Sequence, residues 1–284
     1  MKEVTVLKPK NSFLQGQLVS LYLALKDQGE SKKLNFNLSK IDWAYPFLIL
    51  PLSAYINSTK SSYTAAGSVK SYLDAVKFPE GIDSVLSFQK EIQLKKNYIP
   101  ISILRKEKNP DRERLESLFA NLILKVVGSV PGTRSAILYP ISELVTNIFE
   151  HSLQDKGYLF GQFYPSKDYL DICIVDCGRG LAETYKEEGG LMLTDSEAIL
   201  RSMKGNSTKA SKERGYGVRT SRNVVCNAMN GEFIFLSGSA ALVSSGKSEK
   251  LFTLPDFYWQ GVIIAYRIPK PTGPVDIYKN GYLE

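Results

Sequence analysis

The chain has 284 residues, 43% of them hydrophobic, and a formal charge of +7. That length suits one large or two ordinary domains, and that apolar fraction supplies a core, which excludes wholesale disorder. The sparse, odd cysteine set (Cys173, Cys177, Cys226) and the single histidine exclude a disulfide framework and a structural zinc site, and fit a reducing compartment.

No apolar run reaches membrane-spanning length, and Met1 to Val6 lack a signal-peptide core, so a soluble, cytoplasmic protein with no membrane attachment is expected. The positive charge is concentrated. Residues 201–222 carry seven basic groups (Arg201, Lys204, Lys209, Lys212, Arg214, Arg219, Arg222) against the single acid Glu213. Nearly the whole excess therefore lies in one glycine-containing segment, as in a phosphate-binding loop, and a broad nucleic-acid face is not expected.

Taken in order, Glu3 to Leu7 predicts a short strand. Ser12 is a candidate helix cap, followed by the stripe Leu14, Leu18, Leu21, Tyr22 and Leu25, with Gly29 as the stop. Lys33 to Leu38 alternates as a strand with one buried face. Trp43 to Leu52 is dense and apolar. Pro46 suits the first turn of a helix, and Pro51 predicts a kink or early break. Ser68 to Val76 predicts another helix, and Asn97 to Leu104 another strand.

This alternation resembles a STAS-like domain over residues 1–104. The resemblance rests on Asn37-Leu38-Ser39 at a strand end and Ile41-Asp42-Trp43-Ala44-Tyr45-Pro46 leading into a helix. Phosphorylated members of that family open this helix with an Asp-Ser pair. Here Tyr45-Pro46 stands in that place, so the resemblance implies a docking or regulatory module without a phosphoacceptor serine.

The charged run Arg105 to Arg114 reads as a domain boundary, placing a first domain at 1–108 and a second at 109–270, with 271–284 as a tail. A helix carrying Leu115, Leu118, Phe119, Leu122, Ile123, Val126 and Val127 comes next, closed by Val130-Pro131-Gly132. A second helix starts near Arg134. Gly157 to Tyr164 and Tyr169 to Val175 alternate as an antiparallel hairpin. Leu191 to Met203 predicts a helix with Thr194 or Asp195 near its cap. Gly205 to Tyr216 is a basic loop, Val218 to Met229 a helix, and Glu232 to Leu236 and Gly261 to Ile268 are strands. The stretch from Ser244 to Gln260 reads as polar and irregular.

Three motifs carry chemistry. Glu143, Asn147 and His151 recur every fourth residue, so a helix sets them along one face. A carboxylate, an amide and an imidazole flanked by Leu144, Val145, Ile148 and Phe149 are either a polar edge turned to water or a site. Asp176-x-Gly178-x-Gly180 closes a strand. Gly215-x-Gly217 opens a helix, after Ser207-Thr208-Lys209. A carboxylate accepts from the exocyclic amine of adenine. Paired glycines admit a ligand against backbone. A glycine turn into a helix start offers N–H groups to phosphate. An amide oxygen can ligate magnesium, which keeps waters and phosphate oxygens for its other positions.

In this order the motifs resemble the GHKL ATP-binding fold over residues 110–270, with Gly231, Ser237-Gly238 and Trp259-Gln260-Gly261 matching its closing strands. The resemblance implies a two-layer α/β sandwich, with a mixed, mostly antiparallel sheet and helices on one face, behind a smaller STAS-like domain. It implies Glu143 as general base, Asn147 as magnesium ligand, and His151 facing the nucleotide. It implies Asp176 as the adenine aspartate, with Gly178 and Gly180 shaping the pocket, and Ser207, Thr208, Lys209, Gly215, Tyr216 and Gly217 as lid and phosphate contacts. A packing or capping role for His151 is the alternative.

The lone histidine already belongs to this site, which excludes histidine autophosphorylation in cis. Topoisomerase, chaperone and mismatch-repair ATPases carry a long transducer domain after this fold, and with fourteen residues after 270 that branch is not the one expected. Glu143-Leu144-Val145-Thr146-Asn147-x3-His151 is closest to anti-sigma-factor-type kinases. The expected function is a magnesium-ATP-binding switch or slow ATPase in signalling, binding ATP and ADP and acting on a protein partner or as a homodimer. The alternatives are a serine/threonine protein kinase acting on a partner, and a non-catalytic nucleotide-sensing module.

Overall fold

The computed structural model describes residues 1–28, 32–92, 97–106, 110–127, 130–205 and 217–278. The fold is mixed α/β. The first half contains β1 (Lys2–Thr5), α1 (Leu14–Leu25), β2 (Leu34–Asn37), α2 (Pro46–Thr59), β3 (Ser62–Thr64), α3 (Gly67–Ala75), α4 (Val85–Ile92) and β4 (Tyr98–Arg105). The second contains α5 (Pro110–Val127), α6 (Thr133–His151), β5 (Lys156–Tyr164), β6 (Tyr169–Val175), α7 (Gly180–Gly189) and α8 (Asp195–Met203). It ends with α9 (Gly217–Asn223), which runs on as the π-helical turn Val224–Ala228, then β7 (Glu232–Gly238), β8 (Ala240–Ser245), β9 (Ser248–Thr253) and β10 (Trp259–Pro269).

β1, β2 and β3 form a small parallel sheet in that order, with Val4 beside Phe36 and Phe36 beside Tyr63. Parallel neighbours need crossovers, and α1 and α2 supply them. α1 is not capped by Ser12. Phe13 is its N-cap residue, and the Ser12 carbonyl accepts instead from Arg267 Nη2 at 2.7 Å. α2 runs unbroken through Pro51, against the expected early break. An interior proline costs about 3 kcal/mol. Phe47, Leu48, Ile49, Leu50 and Leu52 are all fully buried on this helix. Each contributes roughly 1.5–3 kcal/mol, so burial outweighs the lost hydrogen bond.

The large sheet has the order β4-β5-β6-β10-β7-β8-β9, with every neighbouring pair antiparallel. Its edge strand β4, read from sequence as the end of the first domain, pairs with β5, setting Ser102 beside Leu159 and Leu104 beside Gly157. The chain thus enters this sheet before the charged run, and Pro110 opens α5. Periodicity marks a strand but not its partner.

The helices of the second half lie on one face of this sheet, and helices of the first half cover the other. α1 and α2 pack over one face, where Tyr158, Phe160, Cys173, Val175, Ile234 and Ala265 meet Phe36, Phe47 and Leu50 in one core. α5, α6 and the π-helical turn cover the other, where Leu159, Ile172, Ile174, Phe235 and Tyr266 meet Phe119, Ile137 and Ile148. This explains why all seven residues of β6 are buried, where a one-sided sheet would alternate. A buried clamp ties α1 to the sheet. Arg267 donates to both oxygens of Asp171 at 2.6 and 2.7 Å, and Gln17 Nε2 donates to Asp171 Oδ2 at 3.3 Å.

Two further expectations change. Ser244 to Gln260 contains β9, which pairs with β8 as a hairpin. The tail is docked as far as Ile277: Val275 and Ile277 are buried, and Val275 N donates to Pro131 O at 2.9 Å. The three cysteines are unpaired, as expected. Among the described residues, no helix is long and apolar enough to cross a membrane.

Candidate functional site

The site is built around α6. Ile137, Ile141, Leu144, Val145, Ile148 and Phe149 bury its inner face, while Ser142, Thr146 and Glu150 are exposed. Glu143, Asn147 and His151 lie between these faces, half-buried. The row therefore does not point into open water. Two other segments cover it.

The first is the start of α9. A Cβ built on Gly217 would stand 2.6 Å from Glu143 Oε2 and 3.3 Å from Asn147 Nδ2. The backbone of Gly217 is thus pressed against the carboxylate and the amide together, an approach that a side chain would block. One turn before Glu143, Tyr139 continues the row and hydrogen-bonds with Thr220 of α9. Burial, and then the Glu143 charge, push the Tyr139 phenol above its ordinary value, and the Thr220 bond partly offsets them.

The second is the turn from β6 into α7. Asp176 is buried at the end of β6. Its Oδ1 accepts from Gly178 N at 2.8 Å, and its carbonyl accepts from Trp259 Nε1 at 3.0 Å. Burial pushes its carboxyl up to about 7, against the pull of the Gly178 and Val262 backbone N–H groups. Gly178 fits because a Cβ there would stand 2.3 Å from Ser152 O. Gly261 of β10 has φ +115°, and a Cβ on it would stand 2.3 Å from Asp176 O and 2.7 Å from Asp176 Oδ1. Gly180 opens α7, with Ser237 Oγ 3.1 Å from where its Cβ would be.

Arg179 fastens this turn to the C-terminal end of α6. Its backbone N–H donates to Ser152 O at 3.2 Å and its Nε to His151 O at 2.7 Å. A guanidinium at a helix C-terminus also complements the exposed carbonyls. The Arg179 head pairs with Glu187 and Glu188 of α7, and Glu188 Oε2 lies 3.5 Å from His151 Nδ1.

No family model and no curated protein matches this chain.

The structure thus brings Glu143 and Asn147 together with Gly217, and His151 together with the turn that carries Asp176, Gly178 and Gly180. The predicted contacts Ser207, Thr208, Lys209, Gly215 and Tyr216 lie outside the described residues. The sequence did not single out Tyr139, Arg179 or Glu188, and it marked Ser237 only as part of a closing strand. Tyr139 was within reach, since it extends the four-residue spacing by one step. Gly261 and Trp259 were matched as strand ends, but their contact with Asp176 needs the pairing of β6 with β10. Among the described residues, no group of three or more His, Cys, Asp or Glu forms a metal cluster.

Proposed function

We propose that this chain binds magnesium ATP in the manner of the GHKL fold and uses it as a nucleotide-dependent switch or slow ATPase. The observation that carries this reading is the seating of Gly217 against Glu143 and Asn147 on the same helix whose end holds the Asp176 turn. A base, a phosphate chain and a cation need three such parts within one ligand's length.

Each part fits its task. The Asp176 carboxylate takes backbone N–H groups from Gly178 and Val262, and a carboxylate offers about four acceptor sites, which leaves room for an exocyclic amine. Asn147 presents one amide beside Glu143 where no side chain intervenes, which suits magnesium because that ion takes most of its oxygens from water and phosphate. Bound there, magnesium would neutralise charge on the phosphates. Glu143, half-buried and one helical turn from Asn147, would take the proton of the attacking water or acceptor hydroxyl. His151 stands one turn further on, toward the Asp176 turn.

The test is calorimetry on Asn147→Ala and Asp176→Ala. Both are expected to lose ATP binding, and unchanged affinity in both would refute the reading. Radiolabelled ATP then separates outcomes. Phosphate release without labelled protein supports a switch or ATPase, label on a partner supports the kinase alternative, and binding without turnover supports a sensing module.

A further inference from the structure

Ser237 sits where three segments of the site meet. It is almost fully buried at the end of β7. Opposite it, the pairing of β10 slips: Trp259 stands beside Gly238 and Val262 beside Ser237, so Gln260 and Gly261 form a bulge. Bulges re-aim backbone beside functional sites. This one drives Gly261 into the Asp176 turn. The Gly261 carbonyl is taken by Ser237 Oγ–H at 2.8 Å. The same Oγ accepts from Leu181 N, in the first turn of α7, at 3.0 Å. One hydroxyl therefore joins the bulge behind Asp176 to the helix that follows Gly180.

Neighbouring contacts stiffen this junction. Trp259 Nε1 holds the Asp176 carbonyl from within the same bulged strand. Two residues beyond Ser237, Asp195 at the start of α8 accepts from Ser239 N and Ser239 Oγ, each at 2.8 Å. β7 is thus tied at its end to α7, α8 and β10, and Ser237 makes the ties to α7 and to the Gly261 carbonyl.

We propose that Ser237 is a positioning residue for base recognition: by bridging the β10 bulge to α7, it sets where the Asp176 carboxylate meets the base. This inference rests on reading the site as an ATP pocket. Ser237 itself does not touch the ligand in this proposal. Its removal should loosen the aim of Asp176 and leave phosphate binding intact, so the loss falls on the amine contact.

The experiment compares ATP with inosine triphosphate, which carries a 6-oxo group in place of the 6-amino group, by calorimetry on the full chain. Wild type is expected to prefer ATP. Ser237→Ala and Ser237→Val are expected to narrow that preference by about tenfold, the scale of one hydrogen bond, with inosine triphosphate affinity unchanged. Ser237→Thr, which matches valine in shape but keeps the hydroxyl, is expected to restore it. A full preference in Ser237→Val, or an equal loss of both nucleotides, would overturn the proposal. So would failure of both hydroxyl-free variants to fold, which assigns Ser237 to stability alone. Equal wild-type affinity for the two nucleotides overturns it as well, while ATP binding itself stands. Absence of any wild-type nucleotide binding overturns the underlying reading.

Discussion

On the proposed function, Gly217→Ala should separate turnover from folding. The added methyl would start 2.6 Å from Glu143 Oε2, and ordinary contact begins at 3.4 Å, so the carboxylate must retreat by about 0.8 Å. That oxygen is the far end of a rotatable side chain, and Gly217 has no left-handed φ to lose. Stability should therefore change by no more than about 1 kcal/mol, and the stiffer unfolded chain favours a small gain. Turnover by the proposed general base Glu143 would have no such freedom. A misplacement near 1 Å costs on the order of 10²-fold in rate, about 2.7 kcal/mol of barrier. Asn147 Nδ2, at 3.3 Å from the same methyl, is crowded less, so ATP affinity should fall less than turnover. The assay pairs thermal melting with ATP hydrolysis and calorimetric ATP binding. A near-wild-type melting temperature with turnover reduced at least tenfold supports the argument. Wild-type turnover in a folded Gly217→Ala protein would refute the role of this contact.

Two further predictions follow from buried charge. The Asp176 carboxyl, held near 7 by burial, lies above its unfolded value of about 3.9. Its stabilising contribution is complete below pH 4 and is lost as pH rises through 7, to a limit of about 4 kcal/mol. Asp176→Asn should therefore flatten that slope, gaining stability over wild type at pH 8 but not at pH 4 in urea titrations. Parallel wild-type and variant curves would contradict the burial argument. Asp171→Ala leaves the Arg267 guanidinium, 6% exposed, without its bidentate partner. A loss of about 3–5 kcal/mol in denaturant is expected, against a much smaller loss when both residues are replaced by apolar ones of similar volume. Equal losses in the single and double variants would show that the charges are not coupled.

Much of the second half was legible because its signals are local. The helix over residues 133–151 follows from apolar spacing, and the β5–β6 hairpin from two runs joined by a four-residue turn. The cap of α8 is legible in Thr194 and Glu197, which form a reciprocal capping box. The errors share a cause. Pro51 was read by its local cost, but α2 is buried on both its sheet and helix sides. β4 was read as the end of the first domain, and its pairing with β5 could not be read from its own residues. β9 carries polar residues because it is the exposed edge strand.

The site divides in the same way. Sequence alone determined the residue types and their intervals: Glu143, Asn147 and His151 on one helical face, and Asp176 with its two glycines at a strand end. Helical and strand periods are short-range properties of the backbone, so they can be counted along a chain. Tertiary structure alone decided that Gly217, seventy residues beyond Asn147, lies against that face, and that a bulge in β10 brings Gly261 up to Asp176. It also decided that α1 and α2 cover the far side of the sheet. Those contacts come from which apolar faces bury one another, and non-directional burial leaves no local spacing to read.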